Sequence, residues 1–361
     1  MSRTRLIFVG ILGLTAVIIL STLFTSRPSE ELFGVVGSEK IPFFEDERVQ
    51  DVFKQHGYVV TVQKAGSREI ATSFNLTRYD FAFPAGAPAA EKIQQTTGIS
   101  QSYTPFFTPM AIASWQPIAQ LLQQQGIAQD QGGYYTLDMA RFLALMADET
   151  RWSELEGNDA FSVNKSILLT STDIRKSNSA AMYLALASYV ANGNNIVQTT
   201  HEANPFMPLM ADIFLRQGLR PDSSQEPFED YLVKGMGHSP IVMIYESQFI
   251  AQAALNNGSI QPNMVLMYPE PTIFTKHILI PLSDSGNQIG QLLENDPDLK
   301  RLAVEYGLRN DDLPQFRQFI SQLNINIPEI IIAVVEPPTY EVLEGMIQQI
   351  EQKYREQGGS S

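Results

Sequence analysis

Gly37-Ser38, Gly66-Ser67-Arg68, Pro84-Ala85-Gly86-Ala87 and Ser177-Asn178-Ser179 each stand between a strand-like and a helix-like run. A helix begins with backbone N–H groups that have no partner inside the helix and with a partial positive charge of roughly half an elementary unit. Glycine lets backbone approach closely, and a serine hydroxyl supplies a donor that can rotate. Together they form a cradle for an anion or a polar ligand at the carboxyl ends of strands, where open α/β sheets bind ligands. Ser and Asn at such positions also serve as N-caps, and Gly as turn chemistry. The recurrence of the pattern along one chain favours the cradle.

Patterns for catalysis mostly fail. The chain has no G-x-S-x-G elbow, H-E-x-x-H pair, phosphate-binding P-loop or EF-hand loop. Ser162-Val163-Asn164-Lys165 fits S-x-x-K, but no K-T-G accompanies it. Gly235-Met236-Gly237-His238 lacks the third glycine of a dinucleotide fingerprint and precedes a strand instead of following one. His56, His201, His238 and His277 lie far apart, and there is no cysteine, which excludes disulfides, thiolate metal sites and a thiol nucleophile. A net charge of −14 argues against nucleic acid, whose phosphates demand a dense Lys/Arg footprint. The sequence therefore predicts no enzyme, no cofactor, no metal site and no nucleic-acid partner.

The elements that must position the loops follow from hydrophobic period. Leu32–Val36, Tyr58–Val62 and Tyr79–Phe83 read as strands; Phe43–His56, closed by Gly57, and the residues after Gly66 read as helices. This alternation predicts a parallel, doubly wound sheet. Farther on, Leu137–Trp152 has the apolar spacing of an amphipathic helix, Ser166–Thr170 of a strand and Ala180–Ala191 of a long helix. Pro240–Tyr245, Met264–Tyr268 and Glu329–Val335 read as strands, and Tyr340 to about Gln357 as a closing helix. Two extended stretches, Tyr103–Ile112 and Met264–Leu282, pass between what then become two lobes, as a hinged clamp requires.

At the start of the chain, Arg3 and Arg5 precede an uncharged run from Leu6 to Ser26. At 1.5 Å per residue that run crosses a hydrocarbon core of about 30 Å, and it exceeds the 7–15 residues typical of a cleaved signal. It predicts an uncleaved single-pass anchor with the arginines in the cytoplasm and the body outside the cell membrane.

The ordered set Gly37-Ser38-Glu39-Lys40, Gly66-Ser67-Arg68-Glu69 and Tyr79–Gly86 resembles the first lobe of bacterial extracytoplasmic solute-binding proteins of the type II periplasmic-binding fold, in their molybdate- and phosphate-like group. Leu168–Ser179 and Ile241–Glu246 are similar to the second lobe. The resemblance implies an α/β fold of two doubly wound lobes joined by a two-crossing hinge; the one transmembrane helix before them is read from the apolar run and departs from the free or lipid-tethered form usual in that family. Residues 1–31 would be anchor and linker, 32–108 plus 265–357 the first lobe, 109–264 the second, and 358–361 a disordered tail. It implies ligand contacts from Ser38, Ser67, Arg68, Ala85 and Gly86 on one side and Ser177, Asn178, Ser179, Tyr245 and Glu246 on the other. Glu39, Asp173 and Glu246 place carboxylates near a site that Arg68, Arg175 and Lys40 offset. The implied function is closure over a small polar solute, an oxyanion, for delivery to a membrane permease of the ABC type. A sensory or regulatory module of the same fold is the alternative. Permease genes beside this one favour the first, and signalling genes the second.

Overall fold

The computed structural model describes residues 29–218 and 220–358. The anchor run Leu6–Ser26 and the tail residues 359–361 lie outside the described residues. Ten strands occur among those described: β1 (Glu30–Gly37), β2 (Tyr58–Ala65), β3 (Phe81–Phe83), β4 (Tyr103–Trp115), β5 (Ala128–Asp130), β6 (Tyr135–Asp138), β7 (Ile241–Tyr245), β8 (Met264–Glu270), β9 (Thr272–Pro281) and β10 (Val334–Val335). Around β1 the sheet is parallel, with β2 and β3 on its two sides. Elsewhere the expectation of an all-parallel sheet fails. β9 runs antiparallel to both β3 and β4, and β4 runs antiparallel to β7 and β8. β6 lies parallel to β8.

The long strand β4 links the two halves. Its first part pairs with β9, Tyr103 opposite Leu279 and Pro109 opposite Phe274; its second part pairs with β7 and β8. Tyr103 and Phe106 join one buried cluster, while Met110 to Trp115 join another. The first core holds apolar residues of β1, β2 and β3 with Leu279 and Leu302. Residues of β7, β8 and the helix Asn178–Ala191 fill the second. Residues 265–357 do not join the first core throughout: Leu279, Leu293 and Leu302 lie in it, Val265, Leu266, Met267 and Tyr268 lie in the second, and Ile280, Val304 and Phe316 belong to two smaller clusters. The helix Tyr340–Gly358 buries Val342, Leu343, Met346, Ile347 and Ile350 with the second core.

Local chemistry explains the other departures from the sequence expectation. The expected helix Phe43–His56 is two helices, Ile41–Glu45 and Glu47–Gln55, because extended Asp46 ends one and caps the next, accepting from Arg48 N at 2.8 Å. Phe43 and Phe44 anchor the first of these in the core through edge contacts to Phe106 at 5.5 Å and to Phe83 at 6.3 Å, and so hold the neighbouring segment Ser38–Lys40. Leu137 belongs to β6, and the helix begins at Met139 because the Asp138 carboxylate accepts from Ala140 N and Arg141 N, both at 3.0 Å. Ser166–Thr170 forms only isolated bridges, Ser166 to Arg151 and Thr170 to Val242. Of the run Glu329–Val335, only Val334 and Val335 pair, with β9; Ile332 is 92% exposed.

Among the described residues no helix is long and apolar enough to cross a membrane, and no group of His, Asp and Glu could hold a metal ion.

Candidate functional site

Three helices of nine or more residues begin at one place between the two cores. They are Asn178–Ala191, Gln225–Lys234 and Glu246–Ala254, with Ser177, Ser224 and Tyr245 at their N-caps. Neither Ser177 nor Ser224 spends its hydroxyl on a capping bond. From the first core, β1 delivers Gly37 and Ser38, and β2 delivers Gly66 and Ser67, the start of the short helix Ser67–Thr72. These residues line a half-open cavity of about 20 Å³, with Glu39, Asn178, Asp222 and Ser223. Of the residues singled out in the sequence, Ser38, Ser67, Ser177, Asn178 and Tyr245 thus converge, although they come from four separate segments.

The two sides touch. Ser38 Oγ lies 3.1 Å from Ser223 Oγ. Gly66 approaches so closely that a Cβ there would fall 2.7 Å from the Lys176 carbonyl oxygen. Gly86, at φ +90°, packs against Asn178, and a Cβ would fall 2.2 Å from its Oδ1. Only glycine satisfies both the backbone angle and the contact. Ala85 and Gly86 therefore support the site from behind: Ala85 N donates to Ser67 Oγ at 2.8 Å. That bond occupies the serine oxygen and leaves its hydrogen to turn toward the cavity. Asn178 Nδ2 donates to the Tyr245 hydroxyl oxygen at 3.1 Å, which leaves the phenol hydrogen equally available. Burial, and secondarily the Glu39 charge, push the Tyr245 phenol well above its ordinary value, so it remains a donor.

Beneath this set lies a charged cluster. Lys40, fully buried, pairs with Glu39, and its Nζ lies 3.0 Å from His277 Nδ1. Burial opposes ionisation of Glu39, but the charge of Lys40 and the bond with His277 outweigh it and hold the carboxyl well below the usual range. Burial, the largest influence, lowers the Lys40 ammonium despite Glu39. Burial and the Lys40 charge push His277 down to about 4. Asp222, at the cavity rim, pairs with Lys176 at 2.6 Å. Each carboxylate of the lining thus has its own ammonium. What remains uncompensated is the partial positive charge of the helix starts and a ring of hydroxyl donors.

Three of the expected residues lie elsewhere. Glu246 is fully buried, and its carboxylate faces away from the cavity to accept from Arg309 Nε at 2.7 Å and from the Tyr268 hydroxyl at 2.7 Å. It follows Tyr245 directly, but the chain turns from strand to helix between them and sends the two side chains apart. Arg68 leaves the cavity to pair with Glu344. Ser179, 1% exposed, bonds Thr172 Oγ1 at 2.8 Å and Ser177 Oγ at 3.0 Å, which orients Ser177 without reaching the cavity. Asp173 is tied to Arg175 through Arg175 N and Nε, at 2.9 and 2.8 Å to its Oδ1. Ser223 and Ser224 went unread in the sequence, although Asp222-Ser223-Ser224 before Gln-Glu-Pro is a helix-start signal.

No family model and no curated protein matches the sequence. Solved structures do match in fold. The sulfate-binding protein SubI from Mycobacterium tuberculosis H37Rv aligns at a TM-score of 0.51 and 14% identity, over 90% of this chain and 98% of that one. A periplasmic thiamin binding protein aligns at 0.58 and 11%, over 91% and 97%. The periplasmic binding protein P5PA aligns at 0.53 and 10%, over 90% and 99%. With two large cores bridged by β4 and a cavity between them, the chain shares a mixed α/β fold with these binding proteins.

Proposed function

We propose that this protein is an extracytoplasmic binding protein that closes two lobes over a small polar solute bearing oxyanion oxygens and delivers it to a membrane transporter. The observation that carries the reading is the meeting of three helix N-termini and the hydroxyls of Ser38, Ser67, Ser177 and Tyr245 at one small cleft. Donors fixed in place and aimed at a partly desolvated point favour negative oxygen more than the same groups do in water. The carboxylates of Glu39 and Asp222 do not reverse this, since Lys40 and Lys176 pair them. Similar folds named for sulfate and thiamin accord with a small ligand between the halves. β4 and β9, the strands that pass from one core to the other, are the place for a hinge.

Membrane attachment through residues 1–26, with the body outside the cell, belongs to the same proposal and rests on the length of the apolar run and the two arginines before it.

Thermal unfolding of the full chain in detergent, with sulfate, phosphate, molybdate, amino acids and sugars, tests the reading. A ligand at a hundred times its dissociation constant adds about 2.7 kcal/mol. An oxyanion should stabilise the protein and lose its effect in the Ser177→Ala/Tyr245→Phe double variant. Stabilisation only by sugars or amines, or by nothing, would overturn it.

A further inference from the structure

We infer, on the basis of the binding reading above, that the oxyanion is the head of a larger organic molecule whose body lies in a groove opening from the cavity. The cavity of about 20 Å³ has room for little more than one water-sized group. It does not end there. Ser38 and Glu39 also line a groove of about 410 Å³, within the range of about 300–1,000 Å³ usual for small-molecule sites. A bare inorganic anion leaves that groove empty.

The groove has the two-sided character of a ligand site. Ile41, Pro42 and Tyr306 form the wall from the first half, and Phe228, Ala251 and Leu255 the wall from the second. Leu255 is 64% exposed at the rim, apolar surface that a seated body would cover. Gln225, Gln248 and Gln252 line it as well, Gln248 Oε1 accepting from Tyr245 N at 3.0 Å and Gln225 Nε2 donating to Glu229 at 2.9 Å, and at the edge stands Lys64, which makes no salt bridge among the described residues. Apolar walls with a lysine at the edge suit a flat ring carrying a polar substituent. Because both walls come from different halves, a body held there adds contacts made only when the halves are together, and so strengthens closure beyond what the head supplies. The ligand class is therefore a phosphate or sulfate monoester of a ring-sized alcohol.

Calorimetric titration of the full chain in detergent with inorganic phosphate, phenyl phosphate, inorganic sulfate and phenyl sulfate tests this. At least one ester should bind ten-fold or more tighter than its inorganic parent. Ala251→Trp, which fills the groove from a half-buried helix position, should abolish that advantage and leave the inorganic anion within about two-fold. Leu255→Asp, at the exposed rim and tolerant of polarity, should reduce it in the same direction. Esters binding no tighter than both parents, or both variants weakening ester and parent alike, would overturn the inference while leaving the oxyanion site intact. Binding of none of the four compounds would overturn the binding reading and this inference together.

Discussion

Arg68 and Glu344, 276 positions apart in sequence, form a two-point ion pair across the two halves of the molecule, Arg68 Nε meeting Glu344 Oε2 at 2.8 Å. The same guanidinium reaches Glu351 at 3.5 Å and donates to the Arg175 carbonyl. Glu344 and Glu351 ride on the helix Tyr340–Gly358, whose apolar face is buried with the second core, while Arg68 belongs to a helix whose Ile70 and Ala71 pack with Val35 of β1 and Ala82 of β3 in a smaller cluster of the first half. The closing helix is thus a strap beside the cleft. Arg68→Ala is expected to shift the population toward an open form, with a larger radius of gyration in solution scattering and faster release of ligand. An unchanged radius would show that apolar packing alone holds the halves together.

Ser177→Ala and Ser38→Ala each remove one donor and leave the backbone N–H groups in place. Affinity for an oxyanion is expected to fall by about 1.5–3 kcal/mol, against about 0.5–1.5 kcal/mol for a neutral solute. Titration calorimetry therefore reads the charge of the bound group directly.

Glu246 was expected at the ligand and is found at a buried ion pair. Glu246→Ala strands Arg309, 5% exposed at its side chain, without its carboxylate. Breaking such a pair costs about 3–5 kcal/mol, which urea denaturation will show. Ligand affinity of the folded fraction should stay within about two-fold; a larger change would place Glu246 back in the site.

The cluster Glu39–Lys40–His277 sets a pH dependence. His277 titrates near 4 when folded and near 6.5 when unfolded, so between those values the unfolded chain binds the extra proton. Its contribution is full above pH 6.5 and is lost as pH falls toward 4. Glu39, also depressed, adds a loss in the same direction at lower pH. The imidazole is faced by Glu39, Lys40 and the rings of Tyr245 and Phe83. Melting temperatures should drop steadily from pH 7 to 4, and His277→Gln should flatten the upper part of that drop.

The anchor is tested by intact-mass measurement of protein extracted from cell envelopes. Retention of residues 1–26 is expected; an N-terminus after Ser21 would end the proposal.

Much of the lining of the candidate cavity was legible because its signals are local. Ser38, Ser67 and Ser177 stand at strand-to-helix turns, and such turns depend on neighbours in sequence: a glycine, a cap, the onset of a helical period. The helix Asn178–Ala191 and the strand Ile241–Tyr245 follow from the same short-range patterns. What the sequence alone determined is therefore where backbone N–H groups and hydroxyls would be presented. Tertiary structure decided which of them meet. Ile330 and Ile332 have strand character but face solvent, because the neighbouring strand accepts pairing only at Val334 and Val335. Tyr245 and Glu246 are adjacent, yet one faces the cavity and the other Arg309, a residue 63 positions away. Arg68 has the sequence context of a ligand-binding arginine and is claimed by a carboxylate from the far end of the chain. Partner choice of this kind is set by burial and charge pairing between distant segments. A polar group removed from water must find whichever partner the fold brings near, and no local pattern records which one that is.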